Sequence, residues 1–366
     1  MKLLHIVGNR PQFIKLSPVL RASEKHGDMK NIVVHSGQHY DYNMSKVFFD
    51  ELGIAEPDYN LNVGSGTHGI QTGNILTALD PILTSESPDC VLVYGDTNTT
   101  LAGALAAYKM HYPCAHVESG VREYVKRAEE MNRKAADNCS DFLFCPIKRA
   151  ADNLTREGIE DARIFVTGDV TYDAFIVNSG IADRHNVLGR LGLSTDRYIL
   201  LTLHRAETVD VRNKLGGVVE ALVSIGDTIV FPAHPRTKGR LEEFGLLEKL
   251  EKSGNVFVLE PVGYFEFLNL LRHSKLVMAD SGGVIKEAFY AGKPCISLDH
   301  TGGHEKVFEE LIDLKYVIIG KTKEDILSGY NKMQNGCPAK IENNIYGDGH
   351  AAEKIIEILS RELRKL

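Results

Sequence analysis

Short, unbroken apolar runs recur along the chain, separated by stretches in which apolar residues return every three or four positions. The first series is Leu3–Val7, Ile32–Ser36, Cys90–Tyr94, Cys114–Glu118, Phe142–Cys145 and Ile164–Thr167. A second follows at Tyr198–Leu203, Thr228–Pro232, Val256–Leu259, Lys275–Ala279, Pro294–Ser297 and Tyr316–Ile319. Each run is continuous rather than alternating, the pattern of a strand covered on both faces. Amphipathic helices are predicted between them, for example over Gln12–Glu24, Thr99–Tyr108, Asn213–Ile225, Phe265–Arg272 and Val284–Ala291. The β-α-β-α order predicts an α/β protein with a parallel, doubly wound sheet in each half. The pattern pauses over 170–197, where Asn178-Ser-Gly and Asp183-Arg-His read as loop. This places a domain boundary there, giving domains over 1–175 and 176–350, with a charged amphipathic helix over 351–366.

Length and composition agree with this division. A chain of 366 residues is long for one core and comfortable for two. Its hydrophobic content of 43% and charged content of 25% are those of a globular protein. The net charge of −7 argues against a broad nucleic-acid surface, yet leaves room for a local basic pocket. The six cysteines, at 90, 114, 139, 145, 295 and 337, include no CxxC pair and read as buried free thiols of a cytoplasmic protein. The first apolar run ends at Gly8, too soon for a signal segment, and no stretch approaches the ~18 apolar residues of a membrane span.

In doubly wound sheets, ligands sit at the carboxyl ends of the strands. The residues there are dense in charge: Gly8-Asn-Arg-Pro-Gln, Gly95-Asp-Thr-Asn, His116-Val-Glu-Ser-Gly, His204-Arg-Ala-Glu, His234-Pro-Arg-Thr and Asp280-Ser-Gly-Gly. In Asp280-Ser-Gly-Gly-Val-Ile-Lys-Glu, a strand ends and Ser281 is placed to cap the next helix. Gly282 and Gly283 allow backbone N–H groups close to a ligand, and the helix end favours a diphosphate. Glu287, one and a half turns in, is placed for a ribose hydroxyl pair; a plain capped turn is the simpler alternative. Arg10, at the end of the first strand, and Lys15, in the helix that Pro11 starts, strengthen the phosphate reading.

Asp96 and Glu118 each follow a strand, and Glu129 lies a little beyond. A carboxylate in a partly dry cleft can serve as a proton donor or acceptor, whereas the simpler readings are a helix cap for Asp96 and structural ion pairs for the others. His204, beside Arg205 and Glu207, suits a proton carrier or a positive group on a leaving phosphate. His234 and Arg236 either bind phosphate or pack the turn. No HExxH, DxDxDG, GxSxG or Walker sequence is present, so no metal site is expected.

In this order, GNRPQFIK (8–15), GQHYDYNMSKVFF (37–49), YGDTNTTLAGALAA (94–107), HVESGVR (116–122), EEMNR (129–133), TGDVTYDA (167–174), LHRAETV (203–209), HPRT (234–237), EPVGYFEF (260–267) and DSGGVIKEA (280–288) resemble the non-hydrolysing UDP-N-acetylglucosamine 2-epimerase family. The resemblance covers nearly the whole chain. It implies a GT-B-like pair of Rossmann-like domains facing a cleft, with the C-terminal helix returning to the first domain. It also implies a UDP-sugar as substrate, a second copy of the chain as partner, and chemistry without cofactor or metal. UDP is eliminated as the C2 proton leaves, and re-adds to the enzyme-bound 2-acetamidoglucal after protonation on the other face. On that pattern Asp96, Glu118 and Glu129 match the proton-transferring carboxylates and His204 the histidine assisting the leaving diphosphate. Arg10, Lys15, Ser281, Gly282, Gly283 and Glu287 match the UDP grip, and Arg133, Arg205, His234 and Arg236 are expected to bind substrate beside it. Gln38 and His39 match a second, regulatory UDP-GlcNAc site.

The chain departs from the family in two places. Ala128 stands where PEE is frequent, and Asp299-His-Thr-Gly-Gly-His-Glu replaces an arginine-bearing, ERPE-like stretch. The spellings GNRPQ and VGSGTHG (63–69) resemble the branch acting on UDP-2,3-diacetamido-2,3-dideoxyglucuronate. That activity, a hydrolysing epimerase releasing N-acetylmannosamine and UDP, a GT-B glycosyltransferase and a non-catalytic UDP-sugar sensor are the alternatives to UDP-GlcNAc 2-epimerisation.

Overall fold

The two series of apolar runs form two separate parallel sheets. The computed structural model describes residues 1–37, 49, 52–334 and 344–365; Gln38, His39 and Cys337 lie outside the described residues. The first sheet comprises β1 (Lys2–Val7), β2 (Lys30–His35), β3 (Tyr59–Asn60), β4 (Cys90–Tyr94), β5 (Cys114–Val117), β6 (Phe142–Cys145) and β7 (Ile164–Val166), in the order β3-β2-β1-β4-β5-β6-β7. The second comprises β8 (Tyr198–Thr202), β9 (Thr228–Pro232), β10 (Val256–Leu259), β11 (Leu276–Ala279), β12 (Cys295–Ser297) and β13 (Val317–Ile319), in the order β10-β9-β8-β11-β12-β13. Every strand pair is parallel. The second sheet has the 3-2-1-4-5-6 order of a dinucleotide-binding fold, and the first has it with one strand added. The order reverses between β1 and β4 in one sheet and between β8 and β11 in the other, and each reversal opens a crevice at the carboxyl ends.

The chain divides into two compact units, Met1–Ile176 with Asn343–Leu366, and Val177–Glu342. Each has its own core. In the first, Leu4, Ile6, Val91 and Val93 of the central strands pack with Ile75, Leu79 and Leu83. In the second, Ile199, Leu201, Ile229 and Phe231 pack with Leu215, Val218 and Leu222. Fully buried aliphatic side chains of this kind each contribute about 1.5–3 kcal/mol relative to exposure.

The pause expected over 170–197 is helical instead: Val170–Ala182 and Val187–Leu191, the latter capped by the Asn186 side chain and ended by left-handed Gly192 (φ 64). The Asn178-Ser-Gly turn signal loses to packing, since Asn178 is buried in the longer helix. A helix over His68–Glu86 also forms on sequence rich in Gly, Thr and Ser, because Ile75, Leu79 and Leu83 supply a buried stripe at every fourth position.

The helix Ala351–Glu362 packs in the first unit against the helix Arg10–His26. Asp173 accepts its first free N–H groups, from Ala351 at 3.2 Å and Ala352 at 2.8 Å. Ile355, Ile356 and Leu359 are buried beneath it. The five described cysteines are free thiols. No helix among the described residues is long and apolar enough to cross a membrane.

Candidate active site

In the first unit the carboxyl ends of β1, β4 and β5 carry the predicted charged residues. Gln12 joins the first two of these ends. It accepts from Gly8 N at 2.7 Å and donates to the Tyr94 carbonyl at 2.7 Å and to Thr100 Oγ1 at 3.0 Å. Asp96 follows β4 but does not cap the next helix, because Thr97 does so in a reciprocal capping box with Thr100. The Asp96 carboxylate therefore stays available, and Arg133 takes it up as an ion pair. Glu118 follows β5 in the left-handed region (φ 71), a conformation costing a non-glycine residue about 1–2 kcal/mol. Its carboxylate pairs with Lys15. A Cβ built on Gly95 would lie 3.1 Å from Lys15 Nζ and 3.5 Å from Glu118 Oε2, and φ there is +66, so glycine admits this pair beside the β4 end.

The helix Ala128–Cys139 supplies the countercharge. Besides Asp96, Arg133 meets Glu123 Oε1 at 3.3 Å and Glu130 Oε2 at 3.5 Å. Burial disfavours its charge, but Asp96, then Glu123, Glu118 and Glu130, more than compensate, and its pKa stands above the ordinary arginine value. Asn132 Nδ2 donates to the Asp96 carbonyl at 3.0 Å. The two neighbouring glutamates separate clearly. Glu130 is buried and accepts from Glu123 N at 2.9 Å and Tyr124 N at 3.3 Å, so it builds the loop. Glu129 is exposed at the start of the helix. Arg10 is exposed at the first position of its own helix, and Lys15, expected to grip phosphate, is engaged with Glu118 in this structure.

In the second unit the corresponding ends are those of β8, β9 and β11. Asp280 is fully buried, and its Oδ2 accepts from the backbone N–H of both His204 and Arg205 at 2.8 Å. Its Oδ1 lies 3.5 Å from Nδ1 of His204, whose side chain is 43% exposed and so open to a ligand. Arg205 Nη1 is buried with no hydrogen-bond partner among the described residues. The His234 ring lies 6.2 Å from that of His204. Partial burial, then the charges of His204 and Arg236, lower the His234 pKa. Arg236, expected to meet phosphate, is paired in this structure with Asp210, which Arg240 also holds at 3.0 Å.

The helix Gly282–Tyr290 begins as expected at Ser281, but the Ser281 hydroxyl makes no capping bond, which corrects the predicted cap. No packing demand explains the glycines: a Cβ on Gly283 would meet only Ser281 Oγ at 3.8 Å, and one on Gly282 only Phe308 and His304 at 3.5 Å or more. An uncapped helix end over open glycines leaves donors for an anion. Glu287, about one and a half turns into the helix, is buried and accepts from Tyr264 Oη at 3.1 Å. Tyr264 was not singled out in the sequence, where EPVGYFEF gives it only as an aromatic in a helical pattern. Also missed is the pairing of buried His116, Arg122 and Asp137, because His116 lies inside an apolar run and Asp137 lies 20 residues past the end of β5. Among the described residues no cluster suits a metal ion.

The chain is similar to known proteins along nearly its whole length. A family model described as UDP-N-acetylglucosamine 2-epimerase matches residues 21–360. The UDP-N-acetylglucosamine 2-epimerase of Methanocaldococcus jannaschii is 43% identical over 98% of this chain and 99% of its own. The UDP-2,3-diacetamido-2,3-dideoxy-D-glucuronate 2-epimerase of Pseudomonas aeruginosa is 44% identical over 99% of this chain and 100% of its own. A crystal structure of the M. jannaschii enzyme in complex with UDP-GlcNAc and UDP superposes with a TM-score of 0.87, covering 99% of this chain and 100% of that one. The two doubly wound sheets, with charged groups at the crevices where their strand order reverses, define a class of nucleotide-binding α/β proteins. Within it, the chain belongs to the UDP-N-acetylglucosamine 2-epimerase family.

Proposed function

We propose that the protein interconverts UDP-GlcNAc and UDP-ManNAc by eliminating and re-adding UDP. The observation that carries this reading is the pair Asp96 and Glu118, set on neighbouring strand ends and each matched by its own cation, Arg133 or Lys15. Epimerisation at C2 takes a proton from one face of the sugar and returns one to the other, which requires more than one proton-transfer group. Asp96 and Glu118, with Glu129 at the exposed helix start, are those groups. As the C2 proton leaves, the C1–O bond breaks and its electron pair goes with UDP. Re-addition of UDP at C1 and protonation at C2 reverse the step with inversion.

The second unit handles the diphosphate. The uncapped end of the helix Gly282–Tyr290, Arg205 and His204 oppose its charge, and Glu287 takes the ribose hydroxyls. Buried Asp280 fixes the backbone of His204 and Arg205 and lies beside the His204 ring. Stabilising UDP as it departs, while retaining it, is what separates this reaction from hydrolysis.

A second reading keeps the chemistry and changes the sugar. It is favoured by the P. aeruginosa relative, named for UDP-2,3-diacetamido-2,3-dideoxy-D-glucuronate. NMR analysis of the products from each UDP-sugar tests both. UDP-ManNAc at equilibrium with UDP-GlcNAc is the expected result, and free N-acetylmannosamine with UDP as the main products would sink it. A cytoplasmic homodimer fits this reading, since the substrate is a soluble nucleotide and the described thiols are free. Light scattering at twice the chain mass of 40.5 kDa checks the dimer.

A further inference from the structure

Behind Asp96 and Glu118 lies a buried charged cluster that the roles above leave unexplained. His116, fully buried in β5, has its Nδ1 2.7 Å from Asp137 Oδ1 and its Nε2 2.7 Å from the Gly95 carbonyl oxygen. Both neighbours are acceptors. A neutral imidazole donates from one nitrogen only, so satisfying both bonds requires the imidazolium form. Asp137 Oδ2 accepts from Arg122 Nη2 at 2.7 Å, and the same guanidinium holds Glu157 at 2.6 Å, where Lys134 also approaches to 3.9 Å. Burial alone pushes the Asp137 carboxyl up, but His116 and Arg122 reverse this and hold its pKa below the ordinary carboxylate value.

The position of the Gly95 carbonyl gives the cluster its consequence. That carbonyl belongs to the peptide plane whose N–H is that of Asp96. The other side of the residue is fixed as well, since Asn132 holds the Asp96 carbonyl at 3.0 Å. The same carboxylate that braces His116 accepts from Gly120 N at 3.3 Å, two residues after Glu118. We propose that His116, a buried imidazolium braced by Asp137, is a positioning residue that sets the peptide plane before Asp96 and so aims that carboxylate for proton transfer. The kinetic part of this proposal rests on the epimerase reading; the structural part does not.

Two isosteric substitutions separate the two ring bonds. In His116→Gln the amide nitrogen falls near Nε2 and keeps the bond to Gly95. In His116→Asn it falls near Nδ1 and keeps only the bond to Asp137. The expected result is that H116N lowers kcat about 10–100-fold with little change in KM, as for a sub-ångström misplacement of a reacting group. H116Q stays within a few-fold of the parent although its urea midpoint falls as far. In 1H–15N spectra the Gly95 and Asp96 amides move in H116N and not in H116Q, and the parent shows two nitrogen-bound protons on the His116 ring. Equal kcat losses that track stability in both variants, full activity in both, or a single ring proton would overturn the proposal. Absence of turnover by the parent on UDP-GlcNAc and on the diacetamido-glucuronate would instead refute the epimerase reading, and the amide shifts and ring protons then decide the proposal alone. If neither variant folds, the ring-proton count of the parent decides it.

Discussion

Asp96 and Glu118 sit in similar surroundings but are held differently. Asp96 is bound through its carboxylate to Arg133 and through its carbonyl to Asn132, whereas Glu118 pairs with Lys15 from a left-handed backbone. Replacing either carboxylate by its amide conserves shape and removes a proton carrier. Asp96→Asn and Glu118→Gln are each expected to lower kcat by about 10²–10⁴-fold with unchanged circular dichroism; full activity in both would refute their role. Glu129 is exposed, whereas Glu130 is buried. Glu130→Ala strands two backbone donors, each costing about 1–3 kcal/mol, so its unfolding midpoint should drop. Glu129→Gln should leave the midpoint in place and lower kcat, and an unimpaired rate would remove Glu129 from the chemistry. At this scale the sequence was most legible where a charged residue directly follows an apolar run, as at Asp96, Glu118, His204 and Asp280. It was least legible where partners come from the middle of a helix or strand. The pairing of Lys15 with Glu118, of Arg236 with Asp210, and the His116–Asp137 contact depend on register between distant segments, which residue type alone does not encode.

Among the elements, the helix Ala351–Glu362 shows how one side chain can set the terms of docking. Asp173 caps it from 178 residues away. Burial raises the Asp173 carboxyl to about 6, although the Ala352 and Ala351 N–H groups pull in the other direction. A carboxyl whose pKa is higher folded than unfolded contributes stability that is complete below about 3.9, its unfolded value, and is lost as pH rises through about 6. Relative to Asp173→Asn, the parent is therefore expected to lose urea midpoint between pH 4.5 and 7.5. A parent that gains on the variant over that range would show instead that the helix end stabilises the charged carboxylate. The strands β4, β6, β9 and β10 were legible in the sequence, because each is an unbroken apolar run between polar ends. The two-residue β3 left no pattern to read. The helices His68–Glu86 and Val170–Ala182 were hidden by Gly, Ser, Thr and Asn, whose turn preference is overridden once Ile75, Leu79 and Asn178 are buried.

The molecule as a whole repeats one solution twice. Each unit orders its strands so that the direction of winding reverses next to its first strand, and each reversal is lined with charge. In the first unit the charges are carboxylates matched by Lys15 and Arg133, suited to moving protons. In the second they are a helix end, His204 and Arg205, suited to holding phosphate. This asymmetry is the basis for assigning an elimination and re-addition of UDP rather than simple nucleotide binding. The most direct test is incubation of the protein in deuterated water with UDP-GlcNAc and, separately, with the diacetamido-glucuronate, followed by NMR at C2. Deuterium at C2 of one of these sugars, appearing together with its 2-epimer and with UDP still attached, is the predicted result. A protein that binds both sugars yet exchanges neither C2 proton would contradict the account.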